Sequence, residues 1–139
     1  MTSEKLFVYS DGGARGNPGP SAIGVIVCDE DGKTLEEYGE VIGDGTNNVA
    51  EYRAVMKGLD LARKLGAKEI EYFVDSELVA KQLLGHYRIK TPHIRVLFDE
   101  VLARLKHFKH VQFKHVPRTH EVISRADKLV NIALNRAGH

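Results

Sequence analysis

Four acidic residues occupy positions that their local patterns do not favour. Glu51 lies in a helical segment whose charged stripe is Arg53, Lys57, Asp60 and Lys64. Ala54, Val55, Gly58, Leu59, Ala62 and Leu65 fall on the opposite side, and Glu51 sits in the middle of them. An uncompensated carboxylate there loses hydration worth several kcal/mol. Asp11 follows the apolar run 6–9, and Asp75 follows the run 69–74. Asp127 borders a second apolar helical face made by Ala126, Leu129, Val130, Ala133, Leu134 and Ala137. Singly, each acid has an ordinary reading: an ion pair for Glu51, turn or cap roles for Asp11 and Asp75, a surface residue beside Arg125 or Lys128 for Asp127. Jointly, acids that converge without a cationic partner repel one another. A divalent cation relieves that repulsion, and carboxylate oxygens suit magnesium or manganese. Two such ions about 3.5–4 Å apart activate water and stabilise the leaving oxygen of a phosphodiester.

The acids meet only if the intervening elements carry them to one place. Residues 6–9 are apolar on both faces, as in a central strand. Residues 12–20 hold four of the thirteen glycines and two of the four prolines and are expected to form a loop. Residues 22–28 form a second buried strand, 29–32 a turn and 34–42 a third strand, giving an antiparallel meander. Thr46, Asn47 and Asn48 are capping residues for a helix that runs to about Leu65 and stops at Gly66. A strand over 69–74 follows, then a short helix over 77–84 capped by Ser76. Thr91-Pro92 opens a further helix, with Ile94, Leu97, Phe98, Val101, Leu102 and Leu105 at helical spacing. A fifth strand covers 111–116 and a last helix about 124–136. Strand one reaches strand four through a helical crossover, so a right-handed parallel pairing is expected. Asp11 and Asp75 then share the carboxyl edge of the sheet, where open α/β folds place ligands. The expected fold is α/β: a mixed five-stranded sheet, three antiparallel strands then two parallel, with helices on both faces.

Composition narrows the function classes. The 139 residues suit one domain spanning 1–139, with 42% hydrophobic and 28% charged residues. A net charge of +1 excludes a domain-wide basic field but not a local basic track. Cys28 is alone, which excludes a disulfide scaffold. The longest clean apolar run, 22–28, is far short of the roughly 20 residues that cross a bilayer. The polar stretch 1–5 and the brief apolar run after it do not form a signal-peptide core, so a cytoplasmic protein is expected. Common motifs fail on spacing. Gly12, Gly13 and Gly16 do not make a dinucleotide fingerprint, and Val27 stands where a phosphate loop ending in Gly32-Lys33-Thr34 needs glycine. Gly32 comes too early for a calcium loop begun at Asp29, and Ser124 replaces the second His of a zinc-protease helix begun at His120.

Four blocks in order resemble a type 1 ribonuclease H over nearly the whole chain: Ser10-Asp-Gly-Gly-Ala-Arg-Gly-Asn-Pro-Gly-Pro20, Thr46-Asn-Asn-Val-Ala-Glu-Tyr52, Val74-Asp-Ser-Glu-Leu78 and Arg125-Ala-Asp-Lys-Leu129. The resemblance implies a single ribonuclease H catalytic domain. It would be an endonuclease that hydrolyses the RNA strand of RNA–DNA hybrids and leaves 5′-phosphate and 3′-hydroxyl ends. It implies two Mg²⁺ per site, Mn²⁺ substituting, held by Asp11, Glu51, Asp75 and Asp127. In that scheme Asp11 bridges both ions, Glu51 and Asp75 hold the ion near the leaving oxygen, and Asp127 helps hold the other. It further implies contacts to RNA 2′-hydroxyls near Gly12, Gly13, Asn17 and Asn48, and a DNA-strand phosphate near Thr46 and Asn47, with Ser76 also at the substrate. Helix N-termini supply N–H groups for such phosphates, and reading 2′-hydroxyls tells RNA from DNA without reading sequence. Double-stranded RNA is a further candidate substrate, and a monomer is the default.

Two departures from the family pattern stand out. The segment 85–92 joins two helices directly where larger members insert a helix and a basic protrusion, so weaker hybrid affinity is expected; Tyr87, Arg88 and Lys90 form either a small substitute or a solvated connector. In the loop before Asp127, relatives carry a mobile His or an Arg that assists proton transfer or product release. His120, with its suitable pKa range, and Arg118, a phosphate binder, both qualify on spacing. The rival functions are a non-catalytic hybrid-binding module, another nuclease of the same fold, and a small-molecule hydrolase, which would need an apolar pocket.

Overall fold

Along β1 (Lys5–Ala14), buried Leu6, Val8 and Ser10 alternate with half-buried Phe7 and Tyr9, so the strand meets protein on both faces. The computed structural model describes residues 4–139; residues 1–3, part of the polar stretch read above as no signal peptide, lie outside them. β1 is followed by β2 (Gly19–Cys28), β3 (Thr34–Gly45), α1 (Asn47–Lys64), β4 (Glu69–Val74), α2 (Glu77–Leu83), α3 (Pro92–Leu105), β5 (His110–His115) and α4 (Glu121–Arg136). These elements form a five-stranded sheet in the order β3-β2-β1-β4-β5. β1 pairs antiparallel with β2 and parallel with β4, and β4 pairs parallel with β5, as expected. No helix among the described residues is long and apolar enough to cross a membrane.

The main core lies between the sheet and α1–α3, where Leu6, Val8, Val25, Val27, Tyr52, Val55, Leu59 and Tyr72 pack together. Full burial of each aliphatic side chain there contributes about 1.5–3 kcal/mol. On the opposite face α4 packs alone, setting Ala126, Val130 and Leu134 against Ala22, Ile26 and Cys28. The Tyr72 hydroxyl is buried between the layers and donates towards Ser10 Oγ at 2.8 Å, with the Ala54 carbonyl at 3.2 Å. Gly58 is required beneath it, since a Cβ there would lie 2.1 Å from that hydroxyl.

Several boundaries differ from the sequence reading, three of them by enough to matter at the site. Gly12, Gly13 and Ala14 are strand, not loop, paired with Ile23, Ala22 and Ser21. Their small side chains leave the ladder intact, and only residues 15–18 turn, closed by an Arg15 N–H to Pro20 carbonyl bond of 2.8 Å. β3 correspondingly runs on to Gly45, opposite Gly19. α4 begins at Glu121, earlier than expected, because the His120 ring caps it: Nδ1 accepts from Val122 N at 3.2 Å and from Ile123 N at 3.5 Å. Histidine is outside the usual N-cap set, so the sequence gives little warning of this start.

A row of glycines brings the helices onto the sheet. Asp11 pairs with Gly24, and Gly24 pairs with Gly39 on the next strand. A Cβ on Gly24 would lie 2.2 Å from the Ala126 carbonyl oxygen of α4, and one on Gly39 would lie 3.1 Å from that of Leu129. On the other face a Cβ on Gly12 would lie 2.2 Å from the Ala50 carbonyl oxygen of α1. Glycine within a strand marks such close backbone approach.

Candidate active site

Each close approach delivers the next residue along its helix to one place. α1 crosses Gly12 at Ala50, and Glu51 follows; α4 crosses Gly24 at Ala126, and Asp127 follows. Asp11 extends past the last β1–β4 pair, Tyr9 with Phe73, and Asp75 stands just beyond the end of β4. The four acids line one cleft of about 400 Å³. Asp11, Glu51 and Asp75 each present a carboxylate oxygen within 4.8 Å of the others.

The environment of Glu51 is not that of a structural ion pair. Its Oε1 accepts the Gly12 N–H at 2.7 Å, and among the described residues its Oε2 is buried with no N–H or hydroxyl donor and only the Asp11 carboxyl beside it. Burial pushes the Asp11 carboxyl far above the usual carboxylate range, and the adjacent Glu51 charge, then Asp75 and contact with Asp127, push it further. Burial also raises Glu51, against the lowering effects of Asp11 and the Gly12 N–H. Without a cation the pair therefore holds a proton that an isolated pair of carboxylates would release at neutral pH. An orphaned buried oxygen, three convergent carboxylates and a displaced titration fit a divalent cation with oxygen ligands.

One expectation about charge needs correction. Asp75 has a cationic partner: Arg118 Nε lies 3.3 Å from its Oδ2, the carboxylate being 4% exposed and the arginine side chain 78% exposed. Arg118 lines the acid cleft. His120 does not line it; besides capping α4, its ring stacks on Tyr9 at 5.5 Å and on Phe73 at 6.2 Å.

The remaining predicted residues divide between two adjoining cavities. Gly12, Gly13 and Ser76 line the acid cleft, and Asn47 and Asn48 line both it and a second cavity of about 340 Å³ that also holds Asn17, Thr46, Thr91 and His93. The Gly12 N–H donates to Glu51 Oε1 at the floor of the acid cleft. Asn47 Oδ1 accepts from Ala14 N at 2.9 Å, and Asn17 Oδ1 accepts from Asn47 N at 3.0 Å, so the hairpin is tied to the start of α1. Thr46 and Ser76 act as N-caps, accepting from Val49 N and Val79 N, each at 3.2 Å. Arg15 and Asn131 also line the acid cleft and were not among the predicted residues. Asn131 could have been found from its i+4 spacing to Asp127; Gly24 and Gly39 could have been suspected as glycines inside strand patterns.

Comparison with known proteins extends these observations. A reverse transcriptase-like family model matches residues 9–133. A ribonuclease HI of Halobacterium salinarum is 41% identical over 134 residues, covering 96% of this chain and 66% of the relative. A bifunctional protein of Mycobacterium tuberculosis is 41% identical over 134 residues, and this chain spans 36% of its length. The solved N-terminal RNase H domain from that organism superposes with a TM-score of 0.92 at 40% identity, covering 98% of this chain and 97% of that one. LC11-RNase H1, solved in complex with an RNA/DNA hybrid, gives a TM-score of 0.89 at 40% identity, covering 96% of this chain and 99% of that one.

Proposed function

The chain belongs to the type 1 ribonuclease H family, and on that premise we propose that it is a single catalytic domain that hydrolyses the RNA strand of RNA–DNA hybrids, leaving 5′-phosphate and 3′-hydroxyl ends. The observation that carries this reading is Glu51, buried on a helix face with one oxygen unpartnered, beside Asp11 and Asp75. Asp11, Glu51, Asp75 and Asp127 would hold two Mg²⁺ ions, with Mn²⁺ as a substitute. Bound there, the ions supply an activated water and offset charge on the leaving oxygen.

The chain's own residues do the positioning. The Gly12 N–H fixes the rotamer of Glu51, and the glycine contacts fix the two helices. Arg118, whose side chain is largely exposed, can exchange Asp75 for a phosphate oxygen, since its donor fork matches either anion. In this reading the assisting role in the loop falls to Arg118, which lines the acid cleft, and not to His120, which does not. Asn17 and Asn47 commit their carbonyl oxygens to the fold, which leaves amide N–H groups for a DNA-strand phosphate beside Thr46 at the start of α1. Asn48 lies between the two cavities and reaches the RNA 2′-hydroxyls from there, with Gly13 and Ser76 beside the acids. With no inserted protrusion between α2 and α3, the grip on the hybrid is weak and spread over these contacts.

A substrate panel tests the reading. A labelled RNA–DNA hybrid, double-stranded RNA and double-stranded DNA are incubated with protein and Mg²⁺, Mn²⁺ or chelator. Metal-dependent internal cuts in the RNA strand of the hybrid are expected. Binding of the hybrid without cutting would favour a non-catalytic module, and cutting of DNA alone would favour another nuclease of this fold.

A further inference from the structure

Asn131 has no part in the four acids, the caps or the core. It lies one helical turn beyond Asp127 on α4, exposed at the rim of the acid cleft. Its Nδ2 donates to the Asp127 carbonyl at 3.1 Å and approaches the Asp127 Oδ2 at 3.5 Å. On the other side its Oδ1 accepts from Arg15 Nη2 at 3.3 Å, and the same nitrogen lies 3.5 Å from the Asn131 carbonyl oxygen. The orientation of the amide is dictated by its neighbours: a guanidinium only donates, while a carboxylate and a carbonyl only accept. A single side chain therefore joins the hairpin end of β1 to Asp127, which touches Asp11 but is not among the three acids whose oxygens all lie within 4.8 Å of one another.

We propose that Asn131 is a positioning residue that orients the Asp127 carboxylate into the cleft and, through its amide oxygen, holds Arg15 at the rim as a grip for a backbone phosphate of the nucleic acid. Asp127 is half-buried at the edge of its helix and needs an orienting partner that does not cancel its charge. An amide N–H meets that need, whereas a Lys or Arg would compete with a cation. Partners that orient metal ligands in this way typically change metal affinity by about 10–100-fold when removed. The guanidinium of Arg15 has five donors and uses one nitrogen on Asn131, so its remaining edge can take a phosphate. The phosphate half of the inference rests on the nucleic-acid reading above; the Asp127 half needs only a divalent cation.

The test separates the two halves with three variants whose folding is checked by thermal melting. Mn²⁺ binding is measured by calorimetry on the protein alone. Hybrid binding is measured by anisotropy in chelator across a salt series, so neither readout requires turnover. Asn131→Leu is expected to weaken both Mn²⁺ binding, about tenfold, and hybrid binding. Arg15→Leu is expected to leave the Mn²⁺ isotherm unchanged and to lower the salt slope of hybrid binding by about one. Asn131→Gln, which keeps donor and acceptor, is expected to recover part of both losses. Mn²⁺ binding by Asn131→Leu within twofold of wild type overturns the Asp127 half. An unchanged salt slope in Arg15→Leu overturns the phosphate half. A wild-type protein that binds Mn²⁺ but no hybrid would count against the nucleic-acid reading itself and leave the Asp127 comparison standing on its own.

Discussion

Replacing Gly24 by alanine perturbs the site through packing alone, because no atom of Gly24 belongs to the acids. The added Cβ would stand 2.2 Å from the Ala126 carbonyl oxygen. Restoring van der Waals separation requires α4 to retreat by about 1 Å or more. Overpacking of this kind costs about 1–3 kcal/mol, which in a domain of this size lowers Tm by about 3–5 °C per kcal/mol. The same retreat carries Asp127 away from Asp11, and a misplacement of about 1 Å costs on the order of 10²-fold in rate. Gly39→Ala is the graded control, since its Cβ would meet the Leu129 carbonyl oxygen at 3.1 Å and need only a small adjustment. Melting curves and initial rates on a labelled hybrid are measured for both variants. The expected order is wild type, Gly39→Ala, then Gly24→Ala, in stability and in rate. If Gly24→Ala melts within 2 °C of wild type, a figure set by about half a kcal/mol, and cuts at a similar rate, the glycine row does not position α4 as argued.

Three further outcomes are expected. The Asp11 and Glu51 carboxyls are raised on folding from 3.8 and 4.5, so in ion-free protein they favour the folded state most below those values and progressively less as pH rises towards and through their folded values. The Tm advantage of Asp11→Asn over wild type in chelator should therefore grow from pH 5 to pH 8, and Mg²⁺ at about ten times its Kd should return about 1.4 kcal/mol to wild type at the upper end; a shrinking advantage would contradict the sign. His120→Ala should lose about 1 kcal/mol of stability with the cap while the rate stays within a few-fold and the pH–rate profile keeps its shape, because the ring stacks on Tyr9 outside the cleft. Tyr72→Phe should cost about 1–2 kcal/mol by denaturant titration, since it deprives Ser10 Oγ of its buried donor.

Much of the site was legible in the sequence because its chemistry conflicts with local pattern. A glutamate on an apolar helix face and aspartates at two strand ends are visible without coordinates, and the crossover rule places Asp11 and Asp75 at one edge. The element order follows from the hydrophobic periodicities, and the parallel pairing of β1 with β4 from the same crossover rule. What the sequence hid depends on contacts between distant segments. The glycine stretch looks like a loop in isolation, and it is a strand because it pairs with residues 21–23 of β2, with α1 crossing Gly12 at backbone distance. Histidine is a weak capping signal, so the early start of α4 at His120 shows only in the ring's acceptance of Val122 N. Arg118 and Asp75 are 43 residues apart, and no spacing rule links an exposed arginine to a buried acid across that separation. The Arg15–Asn131 bond spans 116 residues and is hidden for the same reason.

Cleavage of an end-labelled RNA–DNA hybrid by wild type and Asp11→Asn, across a Mg²⁺ series that includes chelator, bears on the acid cluster itself. Wild type should cut the RNA strand only when the ion is present and leave 3′-hydroxyl ends. Asp11→Asn, folded by melting curve, should be slower by about 10²–10³-fold or more. Cutting that survives chelation, or a variant with a rate near that of wild type, would show that the hydrolysis does not depend on a cation held by these carboxylates.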